Sequence, residues 1–343
     1  MRQLLNTLFV TSEDIYLSLD GENVKAVKEK ETLARYPLHT LSGILTFAYP
    51  GASPALMGAC AQRGISLSFC TPQGKFLARV CGESNGNVLL RRAQYRAADD
   101  PAQSCRIARS MVFGKLYNAR WCIERTKRDH GLRVDTARLE RACAQLQGML
   151  PHILEETDLD SLRGAEGAGA SVYFSAFDQL ILGDKEVFSF QTRSRRPPLN
   201  PVNAMLSFSY SLLAHDCAAA LESAGLDSYV GFLHRDRPGR SSLALDLMEE
   251  LRPCMADRFV LTLINNRIFK RSDFEYRESG GVFLTSEARR IFLRRWQERK
   301  KEMLTHPFLK EKLCWGLIPY LQALLLARYL RGDMEAYPPF LWK

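Results

Sequence analysis

Two carboxylates three residues apart on a helix, with an imidazole close by in the chain, are raw material for a divalent-metal site. The stretch GFLHRDRPGRSSLALDLMEELRP, residues 231–253, supplies all three groups. His234 follows an apolar run, Pro238-Gly239 makes a turn, and from Ser241 the pattern is helical. At about 100° per residue, Leu243, Ala244, Leu247, Met248 and Leu251 cover one broad apolar face. Asp246 and Glu249 are neighbours outside that face, and Glu250 falls nearer its edge. Ser241 or Ser242 is expected to cap the helix and Pro253 to end it. Two oxygen donors and an imidazole suit Mn²⁺ or Mg²⁺. Taken alone, the same residues read as well as a solvated acidic face with a structural histidine.

A third anchor stands in RGAEGAGASVYFSAF, residues 163–177. Glu166 is expected in the first turn of a helix, where the dipole favours an anion. Gly167, Ala168, Gly169 and Ala170 let a backbone or a ligand approach closely. Tyr173, seven residues on, lies on nearly the same face, within reach of a phosphate. The plainer alternative for Glu166 is a capping residue before a tightly packed helix.

With these stretches in view, E-G-x-x-A-x-x-Y-F at 166–174 resembles the first signature of the CRISPR-associated spacer-acquisition integrases, the Cas family numbered one. NPVNAMLSFSYSLLAHD, with Asn203, resembles the second, and the His234 stretch the third, in the family's order and at family-like separations. The strand-rich start looks most like the I-C subtype. The resemblance implies Glu166, His234 and Glu249 as catalytic metal ligands, with Asp246 a nearby acid that in some members also helps bind metal. It places Tyr173, Asn203 and Arg240 close to the site in supporting roles. Gly169 departs from the pattern, since many members carry alanine there, and a slightly looser helix is the expected result.

The resemblance also implies an activity. Family members act as homodimers on each side of a small dimeric partner, the Cas family numbered two, in a heterohexamer. They join the 3′-hydroxyl ends of a short spacer DNA to the CRISPR repeat. That transesterification needs an activated hydroxyl, in-line geometry and neutralised phosphate charge. Two alternatives stay open: a metal-dependent, structure-selective DNA nuclease that uses water, and a non-enzymatic DNA-binding assembly subunit.

The elements that must hold such a site are legible in outline. The first ninety or so residues read as short β-prone runs, with Asp20-Gly21 as a hairpin turn and SPALMGACAQRG as one embedded helix. Pro72-Gln73-Gly74 joins two further strands. From about Leu89 the periodicity is helical, with long helices expected at 165–183, 200–224, 241–251, 256–270, 285–303 and 308–331. The expected fold is therefore α+β: a β-rich N-terminal domain over 1–88, whose edges could serve dimerisation, and an α-helical catalytic domain over 89–343. QTRSRRPPLNP, residues 191–201, is expected to be a mobile basic loop.

A net charge of +9 favours an anionic partner. Phosphate contacts are expected from Arg193, Arg195 and Arg196 on that loop, and from Arg294 and Arg295 on a basic helix whose Ile291, Phe292, Leu293 and Trp296 form an inner stripe. Nine cysteines without a C-x-x-C pair point to buried free thiols in a reducing cytoplasm. The N-terminus is not a signal peptide, and LIPYLQALLLARYL is too short and too polar to span a bilayer. No membrane partner is expected.

Overall fold

The computed structural model describes residues 6–10, 12–71, 76–80, 82 and 88–343. The expected turn at Pro72-Gln73-Gly74 lies outside the described residues, as does Cys81. Strands β1 (Asn6–Val10), β2 (Tyr16–Asp20), β3 (Asn23–Lys28), β4 (Glu31–Pro37) and β5 (Leu41–Thr46) come first. Helix α1 (Pro54–Gln62) and strands β6 (Ser66–Cys70) and β7 (Phe76–Arg79) follow. Gly21 takes φ +57°, so the Asp20-Gly21 turn folds β2 onto β3, and β4 completes an antiparallel sheet of three strands. A second sheet has the order β1-β5-β6-β7, parallel except at β7. The Ser53 hydroxyl accepts from the Leu56 N–H at 3.2 Å and starts α1, and Gly64 at φ +64° ends it. Leu17, Ile44, Leu56, Cys60 and Leu67 form a core of fully buried side chains.

The chain separates into two compact units, and the strand-rich one takes Met1–Asn85 together with Phe283–Glu302. The basic helix Ser286–Lys301 thus clusters with the strands, although the sequence places it within the helical run. It buries Phe292, Leu293 and Trp296, while Arg294 and Arg295 are exposed.

The second unit, Gly86–Val282 with Met303–Lys343, is helical. It holds α2 (Val88–Asp99), α3 (Pro101–His130), α4 (Thr136–Glu155), α5 (Leu159–Phe177), α6 (Pro201–Ser223), α7 (Ser242–Leu251) and α8 (Arg258–Asn265). With Ser286–Lys301 counted as α9, the last helix is α10 (Ile318–Leu330). A β-rich N-terminal region followed by a helical C-terminal one is thus the observed plan. The 30-residue α3 packs against α4, α5 and α7.

Four local expectations are corrected. Helix α5 begins at Leu159, capped by Asp158, whose carboxylate accepts from the Ser161 N–H at 2.7 Å. Glu166 therefore lies in mid-helix, where the dipole gives it nothing. The Ser241 side chain makes no capping bond to α7, and Pro253 does not end the helical path, which continues through a wide π-type turn (Arg252–Asp257) into α8. A short ribbon, Met303–Thr305 with Lys312–Cys314, precedes α10, so no helix runs from 308. Finally, α7 has no solvated acidic face, because Asp246, Glu249 and Glu250 are all buried.

The eight described cysteines are free and buried. Among the described residues no helix is long and apolar enough to cross a membrane.

Candidate functional site

Glycines bring α3 close to both of its charged neighbours, Gly169 on the α5 side and Gly114 on the α7 side, where a Cβ would lie 2.9 Å from Glu250 Cβ. A Cβ on Gly169 of α5 would lie 2.2 Å from the Leu116 side chain on α3, so any larger residue there would push Leu116 out of its present place. Leu116 is preceded by Lys115, and this close packing delivers the Lys115 ammonium to α5. It pairs there with Glu166 Oε1 and, at 2.6 Å, with Glu249 Oε2 of α7. The Lys115 and Glu249 side chains are 4% and 7% exposed, while Glu166 keeps 25%, so the seat is open on one side.

Arg252, one turn beyond Glu249, donates to Glu249 Oε1 at 3.1 Å. Burial alone would raise the Glu249 carboxyl, but Arg252 and Lys115 outweigh it and hold it well below the usual carboxylate range. Burial first, and then Arg252, depress the Lys115 ammonium to about 8 against the pull of Glu249. Arg195 of the basic loop also acts on Lys115, which brings that loop to the site.

His234 is held by its own backbone. Asp246, fully buried, accepts the N–H groups of Phe232 (2.6 Å), Leu233 (2.9 Å) and His234 (3.0 Å). Its Oδ1 also meets His234 Nδ1 at 2.6 Å. Gly231 makes room, because a Cβ there would lie 2.8 Å from Asp246 Oδ2. On the other side the Arg163 Nε of α5 donates to the Leu233 carbonyl at 2.7 Å, and Arg235 pairs with Asp160 at 2.8 Å. With Nδ1–H given to a carboxylate, the imidazole lone pair is on Nε2, the arrangement found behind metal-bound histidines. The structure thus places Asp246 behind His234, with both of its oxygens occupied there.

The supporting residues take structural positions. Asn203 is fully buried and ties the basic loop to α6: its Nδ2 donates to the Thr192 carbonyl at 2.9 Å and its Oδ1 accepts from Arg193 at 2.9 Å. Arg193 also donates to the Ser207 hydroxyl at 3.0 Å and lies 5.2 Å from the Tyr210 ring centroid. It is thus a strut that fixes a loop expected to be mobile, while Arg195 and Arg196 are exposed. Arg252 lies over the same Tyr210 ring at 5.2 Å, and the Tyr210 hydroxyl donates to Asp257, whose carboxyl burial pushes up to about 6. Tyr173 is buried at 3% exposure, so its hydroxyl is turned inward and not toward a phosphate at the surface. Arg240 donates to the Arg235 carbonyl and to Ser242 Oγ at 3.3 Å, closing the loop after His234.

The sequence reading missed Lys115, Arg252, Arg163 and the Asp160–Arg235 pair. Lys115 carries a signal that can be read: it is a charge set among Met111, Val112, Leu116 and Ala119, which are all buried along α3.

Among the described residues no three histidines, cysteines or acids converge as a ready-made metal cage. The donors nevertheless fit a divalent cation in kind. Two carboxylates share one positive charge, and buried Glu249 Oε2 accepts no hydrogen bond of good geometry. The oriented imidazole adds a nitrogen donor.

A β-rich N-terminal region is followed in the chain by a helical region that carries this acid–histidine arrangement. The family model described as CRISPR associated protein Cas1 matches residues 8–298. The chain belongs to the Cas1 family. It is 51% identical to a Rhodospirillum rubrum protein named CRISPR-associated endonuclease Cas1 2, over the full length of both chains. A casposase bound to integration product shares the fold with a TM-score of 0.83 at 22% identity, over 99% of this chain and 95% of that one. A Cas6-RT-Cas1–Cas2 complex matches 100% of this chain and 36% of its own, with a TM-score of 0.81 at 23% identity.

Proposed function

We propose that the chain is a divalent-metal-dependent DNA strand transferase of CRISPR adaptation, joining 3′-hydroxyl ends of spacer DNA to the repeat. The observation that carries this reading is the convergence of Glu166 and Glu249 on a single cation, with His234 oriented by Asp246. Glu166, Glu249 and His234 Nε2 would hold Mn²⁺ or Mg²⁺. Such an ion, when bound, supplies Lewis acidity to phosphate oxygens and to the attacking hydroxyl. The imidazole nitrogen favours Mn²⁺, since Mg²⁺ prefers oxygen ligands.

The chain's own residues do the rest. Asp246 keeps the His234 proton on Nδ1 and the lone pair on Nε2. Arg252 holds one Glu249 oxygen and turns the other into the site. Arg195 and Arg196, exposed on a loop anchored by Asn203, meet phosphates and leave bases unread. Exposed Arg294 and Arg295 give the strand-rich unit phosphate contacts of its own.

The names of relatives support the reading: endonuclease for the Rhodospirillum protein, integration product for the casposase, Cas2 for the complex. The Cas2 in the name of the complex supports work with Cas2; the homodimer within a heterohexamer rests on the sequence resemblance alone, and the buried free thiols favour the cytoplasm. The likeness of the strand-rich part favours the I-C subtype.

Labelled DNA with free or blocked 3′ ends, incubated with Mn²⁺ and Cas2, tests the chemistry. Joined product is expected only from free 3′ ends, and Glu166→Ala, His234→Ala and Glu249→Ala should each abolish it. Equal product from blocked ends means that water is the nucleophile. Full activity in all three alanine variants means that these residues do not carry the chemistry, and no product from the wild-type protein leaves only a DNA-binding role.

A further inference from the structure

Lys115 occupies the position on which the two carboxylates converge, and no feature of the three sequence motifs calls for a cation there. Its side chain is 4% exposed, and its ammonium touches Glu166 Oε1 and Glu249 Oε2 together. The packing that brings it there is built in, since Gly169 admits Leu116 and so fixes the register of α3 against α5. We propose that Lys115 is the resident counter-ion of the metal-free site, and that a divalent ion displaces its ammonium from the carboxylates on binding. This rests on the metal-site reading above.

The physical argument is one of exclusive occupancy. Two carboxylates aimed at one point, Glu249 buried and Glu166 partly so, repel each other when no cation lies between them, and Glu249 is poorly solvated. An ammonium between them relieves both costs and keeps the two helices together before metal arrives. A divalent ion binds oxygen at about 2.0–2.2 Å, closer than the 2.6 Å contact of the ammonium with Glu249. Both cannot use the same oxygens. Arg252 already takes Glu249 Oε1, so Oε2 is the oxygen for which they compete. A lysine suits an exchangeable role better than an arginine does, because its charge is compact and its stem has four rotatable carbons. Metal and Lys115 are therefore antagonists for one seat, and the metal-free enzyme stays folded because of it.

Lys115→Met keeps the stem and removes the charge. Calorimetric titration of the full-length protein with Mn²⁺ should show the variant binding at least about tenfold tighter than wild type, the scale of one like charge removed from contact in a partly screened site. In EDTA its Tm should fall below that of wild type, and saturating Mn²⁺ should restore it. Purification that succeeds only with Mn²⁺ present is the same result in stronger form. Unchanged or weaker Mn²⁺ binding, an unchanged Tm in EDTA, or misfolding that Mn²⁺ does not repair overturns the inference. The wild-type titration isolates the underlying reading: if wild type and His234→Ala both fail to bind Mn²⁺, the metal site itself is wrong. If wild type binds and Lys115→Met changes nothing, only the role of Lys115 falls.

Discussion

Asp246 sits three residues before Glu249 in the sequence, yet the two carboxylates do different work. Asp246 gives both oxygens to the Phe232, Leu233 and His234 amides and to the imidazole, whereas Glu249 leaves one oxygen free of well-formed hydrogen bonds. Asp246→Asn should therefore act through His234. The amide nitrogen would face donors, costing roughly 1–3 kcal/mol of stability, and a misaligned imidazole should weaken Mn²⁺ binding and strand transfer about 10–100-fold. Thermal unfolding and a Mn²⁺ titration check both, and an affinity loss as complete as that of Glu249→Gln would make Asp246 a direct ligand instead. Helical spacing put Asp246 and Glu249 on one side of α7, which is correct geometry. It could not say that the His234 loop covers the first and Lys115 meets the second, because those partners lie 12 or more residues away in the chain. The same limit hid the burial of α7: a charged residue looks solvated until its counter-charge on another helix is known.

At the level of elements, the helices and strands were legible wherever apolar periodicity and caps agreed, as in α1 with its Ser53-Pro54 start. They were misjudged where small residues blurred the pattern. Helix α5 was expected to begin near Glu166 because glycines and alanines carry little periodicity, and Asp158 was passed over as its cap. Gly169 was expected to be a mild loosening. It is instead the contact that lets α3 approach, since a Cβ there would lie 2.2 Å from Leu116. Gly169→Ala should cost about 1–3 kcal/mol through overpacking and lower activity by shifting Glu166 relative to Glu249. Leu116→Ala should also destabilise, by opening a cavity. Denaturant unfolding should show the double variant less destabilised than the sum of the singles, and simple additivity would mean that the two residues do not press on each other.

For the molecule as a whole, the buried acids around α7 set how stability responds to pH. Burial pushes the Glu250 carboxyl up to about 7 from 4.5, against the pull of Tyr337, Gln322 and the Phe340 amide. Tyr337 and Phe340 follow the last helix, so this carboxyl is where the C-terminal segment is fastened to α7. Between pH 4.5 and 7 the folded protein holds a proton that the unfolded chain has released. Stability therefore falls as pH rises through that window, and it levels off above pH 7. Asp257, raised from 3.8 to about 6, adds the same sign at slightly lower pH. Glu249 has the opposite sign, but its carboxyl is depressed, so its contribution is lost only below its ordinary value of 4.5. Lys115, lowered from 10.5 to about 8, acts only above pH 8, where stability rises again. The net expectation is a Tm that is highest near pH 5 and declines toward pH 7. At about 1.4 kcal/mol per pKa unit, Glu250 alone contributes on the order of 3 kcal/mol to that decline. Glu250→Gln cannot titrate and should flatten the slope between pH 5 and 7, whatever it does to the absolute Tm. The comparison is made by thermal unfolding in EDTA at half-unit pH steps. A wild-type profile already flat from pH 5 to 7, or a variant with the wild-type slope, would show that Glu250 is ionised in the folded protein and that the C-terminal segment is fastened by charge, not by a neutral acid.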